Sequence, residues 1–387
     1  MNIGYLTPEY PHTKTGLSGG IGTSIRNLSY ALSALGHRIT IFVYGQDVDE
    51  EFIDKGITIV RIRNVRFKGL SWYLTRRKIQ NIINKHVSQS CLELVEAPDW
   101  TGITAFMKLK CPLVIKLHGS DTYFCYLERR HVKKWNFFLE KRALISADSH
   151  ISVSSYTASL TNLLFKLKIT YKIIPNGIVI NKKCRLDKED DSLSRRNILL
   201  YVGTLIRKKG VFELPLIFNE VIEKNQDAEL FLVGRDSADI MTGSSSTFKL
   251  MLPLFNEKAL KKVTYLGEKT PDEVSQIYRN ATVCIFPSFA ESFGLVIIES
   301  MSFGKPTVCY DYPWAREIIE NKVNGYLIEP ENRTEFAAII HKLLTNEELR
   351  NSIGREARNK ILRRFDSKII SRETLKFYSN IIYQKLP

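Results

Sequence analysis

Long apolar runs are missing from this 387-residue sequence. No stretch approaches the roughly 20 consecutive apolar residues that cross a bilayer. The basic-then-apolar layout of an export signal is missing too: Met1-Asn2-Ile3-Gly4-Tyr5-Leu6 reads as a first core strand. Cysteine is scarce. The six residues, Cys91, Cys111, Cys125, Cys184, Cys284 and Cys309, include no C-x-x-C pair and no histidine at zinc spacing. Scattered single cysteines without an export signal point to reduced, buried thiols and a cytoplasmic location. No short-period repeat occurs, which argues against a solenoid.

What is present is ordinary for a globular chain, with 44% hydrophobic and 25% charged residues. The length exceeds that of one typical core, so two domains are expected. The net charge of +15 is uneven: residues 1–180 carry 24 Lys and Arg against 13 Asp and Glu, and residues 181–387 carry 32 against 28. A basic first half favours an anionic partner, such as a membrane, a nucleic acid or a phosphorylated substrate. The basic residues form no nucleic-acid motif, so no nucleic-acid partner is expected.

Apolar runs at 3–6, 38–44, 57–61, 92–97, 113–118, 150–153 and 171–174 alternate with helical patterns such as 22–35, 74–90 and 135–146. That alternation predicts a parallel sheet covered by helices. Residues 181–196 are polar and aperiodic and read as a linker. The grammar then restarts, with strands predicted at 198–202, 229–233, 263–266, 283–286 and 307–310. Residues 239–246 are Ser- and Gly-rich and read as a flexible loop, whereas 367–384 form an amphipathic helical pattern. Asp47-Val48-Asp49, beside Glu50 and Glu51, reads as a solvated acidic turn rather than a metal site.

Four segments carry candidate chemistry. Glu291-Ser292-Phe293-Gly294-Leu295 follows a strand and opens a helix that includes Glu299. Free amides at a helix start suit phosphate, and two carboxylates there could hold sugar or ribose hydroxyls. A surface helix with a polar first turn would look the same at this level. Gly203-Thr204-Leu205-Ile206-Arg207-Lys208-Lys209-Gly210 is a cationic loop at a strand's carboxyl end, where open α/β sheets bind ligands. It also reads as a solvated basic turn. Gly16-Leu17-Ser18-Gly19-Gly20-Ile21-Gly22 lies too far beyond the first strand for a nicotinamide fingerprint. His118-Gly119-Ser120-Asp121 ends another strand.

Residues 281–310, with Glu291, seven residues, Glu299 and then Gly304-Lys305-Pro306, resemble the donor-site signature of glycosyltransferase family 4. Glu96-Ala97-Pro98-Asp99-Trp100, His118-Gly119-Ser120-Asp121, Pro175-Asn176-Gly177, Val233-Gly234 and Asn324-Gly325 match the family in order, as do the two glycine loops. The resemblance implies the α/β GT-B fold: two Rossmann-like domains with parallel sheets facing a central cleft. The first, 1–180, would bind the acceptor. The second, 197–366, would bind a nucleotide-sugar donor, with the tail helix at 367–387 packing back on the first.

The resemblance also assigns roles. Glu299 would hold the ribose, and Glu291 the donor sugar. Ser292, Phe293, Gly294 and Leu295 would meet sugar and diphosphate. Lys209 matches a diphosphate-binding lysine. Thr204 replaces the family's usual arginine, so Arg207 or Lys208 would supply the second charge. Gly19 and Gly20 would approach the donor phosphates, His118 the donor sugar, and Asp121 the acceptor. Glu96 and Asp99 would line an acceptor pocket, although Asp99 equally suits a helix cap. The implied activity is retaining transfer from a UDP- or GDP-sugar to a hydroxyl of a glycan or lipid-linked acceptor, without cofactor or metal, in bacterial cell-surface polysaccharide synthesis. A sugar phosphorylase or sugar-nucleotide epimerase on the same fold is the alternative, and a nicotinamide-dependent oxidoreductase a remote one.

Basic and aromatic residues cluster twice in the first half. Arg61, Arg63, Arg66, Lys68, Arg76, Arg77, Lys78 and Lys85 surround Trp72-Tyr73-Leu74. Arg129, Arg130, Lys133, Lys134, Lys141 and Arg142 surround Trp135, Phe137 and Phe138. This pattern predicts peripheral binding to an anionic membrane, at the inner face of the plasma membrane.

Overall fold

A computed structural model of the protein describes residues 1–16, 18–90, 92–180 and 196–384. The expected linker therefore lies outside the described residues apart from Arg196, as do Cys91 and Cys184. The other four cysteines are buried. The chain divides into two compact units: Met1–Val179 together with Phe365–Pro387, and Ile180–Arg364.

The first unit holds β1 (Asn2–Thr7), β2 (Arg38–Gln46), β3 (Glu50–Asp54), β4 (Ile57–Arg63), β5 (Leu94–Pro98), β6 (Leu113–Leu117), β7 (Ser149–Ser152) and β8 (Lys172–Ile173). They lie in the order β3-β4-β2-β1-β5-β6-β7-β8. Every neighbouring pair is parallel except β3–β4. Strands β5 and β6 are buried at every position, which is why they read as unbroken apolar runs. Helix Gly20–Ala34 packs Ile25, Leu28 and Leu32 against Ile3 and Ile41 on one face. Helix Ser71–Ser90 packs Ile79 and Ile83 with Leu6 and Phe42 in a second cluster. Helix Ser367–Gln384 joins the first cluster through Ile370, Tyr378 and Ile381. The chain enters and leaves this unit side by side: the Ile178 amide donates to the Phe365 carbonyl at 3.0 Å, and the Ser367 amide donates to the Ile178 carbonyl at 2.9 Å.

Two expectations need correction here, and a third holds. Asp47-Val48-Asp49 is an exposed bend, as expected, and the adjoining Glu50–Asp54 forms the antiparallel edge strand β3. Its alternation of half-buried and exposed residues hides an edge strand whose partner lies on one side only. The first basic cluster is not a free cationic surface. Arg61 is buried and pairs with Asp47 and, at 2.7 Å, with Glu50; Lys78 pairs with Asp49 at 2.6 Å; Arg76 is buried. Finally, residues 239–246 are tied down. Asp239 is buried and accepts from the Thr242 amide at 3.0 Å and its hydroxyl at 2.6 Å, while the Ser246 hydroxyl donates to Asp236 at 2.6 Å.

The second unit holds β9 (Ile198–Val202), β10 (Glu229–Val233), β11 (Val263–Tyr265), β12 (Val283–Phe286), β13 (Thr307–Tyr310) and β14 (Tyr326–Ile328). They are parallel throughout, in the order β11-β10-β9-β12-β13-β14. Strand β14, only three residues long, has too short a pattern to register in the sequence. The strand order reverses between β9 and β12, and in the first unit between β1 and β5. Loops diverge at such a reversal, and a crevice opens outside the carboxyl ends of the two strands.

Candidate active site

In the second unit, the reversal brings two of the singled-out segments together. Residues 203–210 leave β9, and residues 287–294 leave β12. Their backbones are joined, since the amides of Phe289 and Ala290 donate to the Lys208 carbonyl at 2.9 and 3.2 Å. Gly210 makes this approach possible. Its φ is +67°, and a Cβ there would stand 1.7 Å from the Pro287 carbonyl oxygen. Across the junction, Lys209 Nζ forms an ion pair with Glu291 Oε1. Glu291 is buried, at 7% exposure. Gly294 then caps helix Leu295–Ser302, with Phe293 buried behind it. Glu299 lies on the second turn of that helix and interacts with the buried Tyr278 hydroxyl, whose pKa burial pushes well up.

Arg207 is spoken for. Its Nε and Nη2 bind Asp239 at 2.6 and 2.9 Å, a bidentate fork, and its guanidinium lies 4.6 Å from the Phe212 ring centroid. The hydrogen bonds from Arg207 hold the Asp239 carboxyl well below the usual carboxylate range. The backbone of Lys208 is what joins the two loops. Sequence reading missed Asp239, because its partner is 32 positions away in a loop without pattern. It also missed Glu213, which is buried and takes Arg333 at 2.7 and 3.0 Å and the Tyr310 hydroxyl at 2.7 Å.

In the first unit, Gly19 caps helix Gly20–Ala34 without a side-chain bond, and Gly20 begins it. The opening amides are not bare: the Gly22 amide donates to Glu9 Oε1 at 2.9 Å. Glu9 follows β1 and was not foreseen. Its carboxylate sits where an anion suits the helix dipole.

His118, Asp99 and Asp121 are grouped beyond β5 and β6. The His118 amide donates to Asp99 Oδ1 at 2.9 Å. Burial, reinforced by the Lys116 ammonium, drives the His118 pKa well below its usual value, so the imidazole is neutral at pH 7. Burial pushes the Asp99 carboxyl up to about 7, and its Oδ2 meets no hydrogen-bond partner. Asp121 opens helix Asp121–Leu127, and its carboxylate accepts from Asn136 at 2.8 Å. The clamp on this corner is Glu140, another residue missed. It accepts from the amides of Thr101, Asp121 and Thr122 at 3.2, 2.9 and 3.2 Å, and from the Thr122 hydroxyl at 2.5 Å.

Glu96 does not join this group. It is buried, and the Tyr378 hydroxyl of the tail helix donates to its Oε2 at 2.6 Å. Burial raises its pKa, opposed by the nearby Lys116 ammonium. Its position at the end of β5, with Asp99, suggested an acceptor pocket; Tyr378 of the tail helix covers it instead. Among the described residues, no group of three or more His, Cys, Asp and Glu could hold a metal ion. Among the same residues, no helix is long and apolar enough to cross a membrane.

Comparison with known proteins agrees with this geometry. Residues 18–182 match the family described as Glycosyltransferase Family 4, and residues 185–360 match Glycosyl transferases group 1. An uncharacterized glycosyltransferase of Methanocaldococcus jannaschii is 23% identical over 398 residues, covering 98% of both chains. The capsular polysaccharide biosynthesis glycosyltransferase CapM of Staphylococcus aureus is 27% identical over 257 residues, 64% of this chain and 65% of CapM. Among solved structures, Anabaena HepE in complex with UDP and glucose superposes with a TM-score of 0.72 at 20% identity, covering 98% of this chain and 100% of HepE. Two parallel-sheet α/β units with these matches make the fold GT-B. The chain belongs to glycosyltransferase family 4 and is a glycosyltransferase.

Proposed function

We propose that the protein transfers a sugar from a nucleoside-diphosphate sugar to a hydroxyl of a lipid-linked or glycan acceptor, with retention at the anomeric carbon and without a divalent metal. One observation carries the reading: the joined loops beyond β9 and β12, which set Lys209, Glu291 and the Gly294 helix start at the switch point of the second sheet. When the glycosidic bond breaks, negative charge grows on the departing diphosphate. Lys209 and the amides that follow Gly294 meet that charge without reorganising, in the place a metal would take. Glu299 accepts from ribose hydroxyls and Glu291 from the sugar. On this reading the leaving phosphate takes the acceptor proton on the same face, so no carboxylate serves as a covalent nucleophile. His118, held neutral, offers a hydrogen bond to the sugar rather than a charge. HepE, which shares the fold, is complexed with UDP and glucose, which supports a uridine nucleotide as the first donor to try.

The acceptor side of the reading is a peripheral membrane site for cell-surface glycan synthesis, in line with CapM. Its support is an exposed aromatic ridge on the first unit. Trp72 packs edge-on to Trp135 at 5.2 Å, and Trp135 stacks on Phe138 at 5.5 Å. Trp135 is 48% exposed and Phe138 46%. Phe137 turns inward to Phe165. Exposed Arg66 and Lys68 precede Trp72 in sequence, exposed Lys133 and Lys134 precede Trp135, and the exposed Arg142 guanidinium lies 5.7 Å from the Phe106 ring centroid. Each cation near an anionic bilayer contributes about 1 kcal/mol, so these residues suffice for reversible binding.

Calorimetric titration with UDP-, GDP- and ADP-sugars tests the donor reading, followed by NMR of the product formed in EDTA. Binding of one nucleotide sugar and a retained anomeric configuration are expected. Activity that EDTA abolishes and Mg²⁺ restores would overturn the metal-free part; an inverted product would overturn retention.

A further inference from the structure

Helix Ser71–Ser90 carries a guanidinium into the first unit. Arg76 is only 7% exposed. Burying a cation costs several kcal/mol unless a counter-charge comes with it. Other interior cations of this unit have one: Arg61 sits with Asp47 and Glu50, and Lys116 faces Glu96. Among the described residues, no carboxylate pairs with Arg76. Nη1 donates to the Trp72 carbonyl at 3.1 Å, and Nη2 to the carbonyls of Gly102 at 3.2 Å and Thr101 at 3.5 Å. Nε meets no acceptor. Burial lowers the Arg76 pKa, and among the described residues the Tyr44 phenol alone opposes that.

The place is telling. Arg76 is near the start of the helix that follows β4, Thr101 and Gly102 follow β5, and Tyr44 is near the end of β2. All belong to the carboxyl edge of the sheet, and β5 flanks its switch point. The Arg76 guanidinium lies 5.7 Å from the Trp72 ring centroid, and Trp72 is the half-buried member of the aromatic ridge. An unneutralised arginine therefore lies at the foot of an apolar surface.

We propose that Arg76 binds the phosphate of a lipid phosphate or diphosphate acceptor, whose hydrocarbon lies along the ridge of Trp72, Trp135 and Phe138. The inference rests on the acceptor reading above and narrows it to one chemical class. An oxyanion supplies the charge the interior lacks and accepts from Nε, which now has no acceptor, and a planar guanidinium suits phosphate oxygens. The tail accounts for the exposed aromatics.

The test uses the full chain saturated with UDP, so that the donor site is filled. It is titrated with geranyl diphosphate, inorganic pyrophosphate and geraniol. Geranyl diphosphate should bind, and on the order of tenfold more tightly than either fragment probe, the worth of one charged hydrogen bond. Arg76→Gln should lower its affinity on the order of tenfold or more, and Arg76→Lys by less. Unchanged affinity in Arg76→Gln would overturn the assignment. So would wild-type protein that binds geraniol as well as geranyl diphosphate, an arm that holds even where the variants fail to fold. Pyrophosphate binding as tightly as geranyl diphosphate would overturn the lipid part. Failure of UDP itself to bind would instead strike the functional reading from which the inference starts.

Discussion

Lys209 and Glu291 are paired across two loops that are 82 positions apart in sequence. The pair keeps a lysine with 20% side-chain exposure aimed at the switch point instead of trailing in solvent. Lys209→Ala and Glu299→Ala should each weaken nucleotide-sugar binding by about 1.5–3 kcal/mol, roughly ten- to a hundredfold, while circular dichroism stays that of the wild type. Donor affinity unchanged in both variants would remove these residues from the site.

Gly210→Ala should part the two loops. A left-handed backbone costs a non-glycine residue about 1–2 kcal/mol, and here the Cβ also collides with the Pro287 carbonyl. Gly243→Ala is the control, because its φ is +73° but nothing lies within 4 Å of the added Cβ. Thermal unfolding should show a much larger loss for Gly210→Ala, and only that variant should lose donor binding. Equal losses would mean that the loop junction plays no part.

Asp99 makes stability depend on pH. Its carboxyl rises from an ordinary value of 3.8 to about 7 on folding, driven by burial. Between those values the folded protein keeps a proton that the unfolded chain releases, so this contribution declines as pH climbs from about 4 to 7. Asp99→Asn keeps an oxygen for the His118 amide but cannot ionise. Its melting temperature should fall less over that range than that of the wild type. Parallel curves for the two proteins would contradict a buried, protonated Asp99.

The aromatic ridge can be tested apart from catalysis. Trp135→Ser with Phe138→Ser removes two exposed side chains and should leave the fold intact. Sedimentation with vesicles rich in anionic phospholipid at low salt should drop on the order of tenfold, the scale of about 1.4 kcal/mol. Wild-type protein that sediments no better with anionic than with neutral vesicles would dispose of the membrane reading altogether.

The sequence carried most of the sheets, because strands such as β5, β6, β9 and β12 are buried on both faces and so are apolar throughout. The donor-side loops were legible for a related reason. Phosphate sites need glycine, lysine and a helix start in a short span, and such spans leave a local pattern. What escaped was set by distant partners. Glu140 looks like any helical glutamate until folding brings the amides of Thr101, Asp121 and Thr122 to it. Glu96 seemed to border a pocket because Tyr378, 282 positions later, was not known to cover it. Arg61 and Arg76 were counted as surface charge, because composition does not tell an interior cation from a solvated one.

The tie between Tyr378 and Glu96 also bears on how the polypeptide is made. The first sheet leaves the ribosome early, yet the helix that closes its core is translated only after the whole of the second unit. Residues 196–364 can complete their fold before residues 367–384 emerge, whereas the amino-terminal unit waits for that helix with Ile3, Ile25 and Ile41 uncovered by Ile370 and Tyr378. A nonsense codon shortly before position 367 therefore damages the half of the protein that was synthesised first.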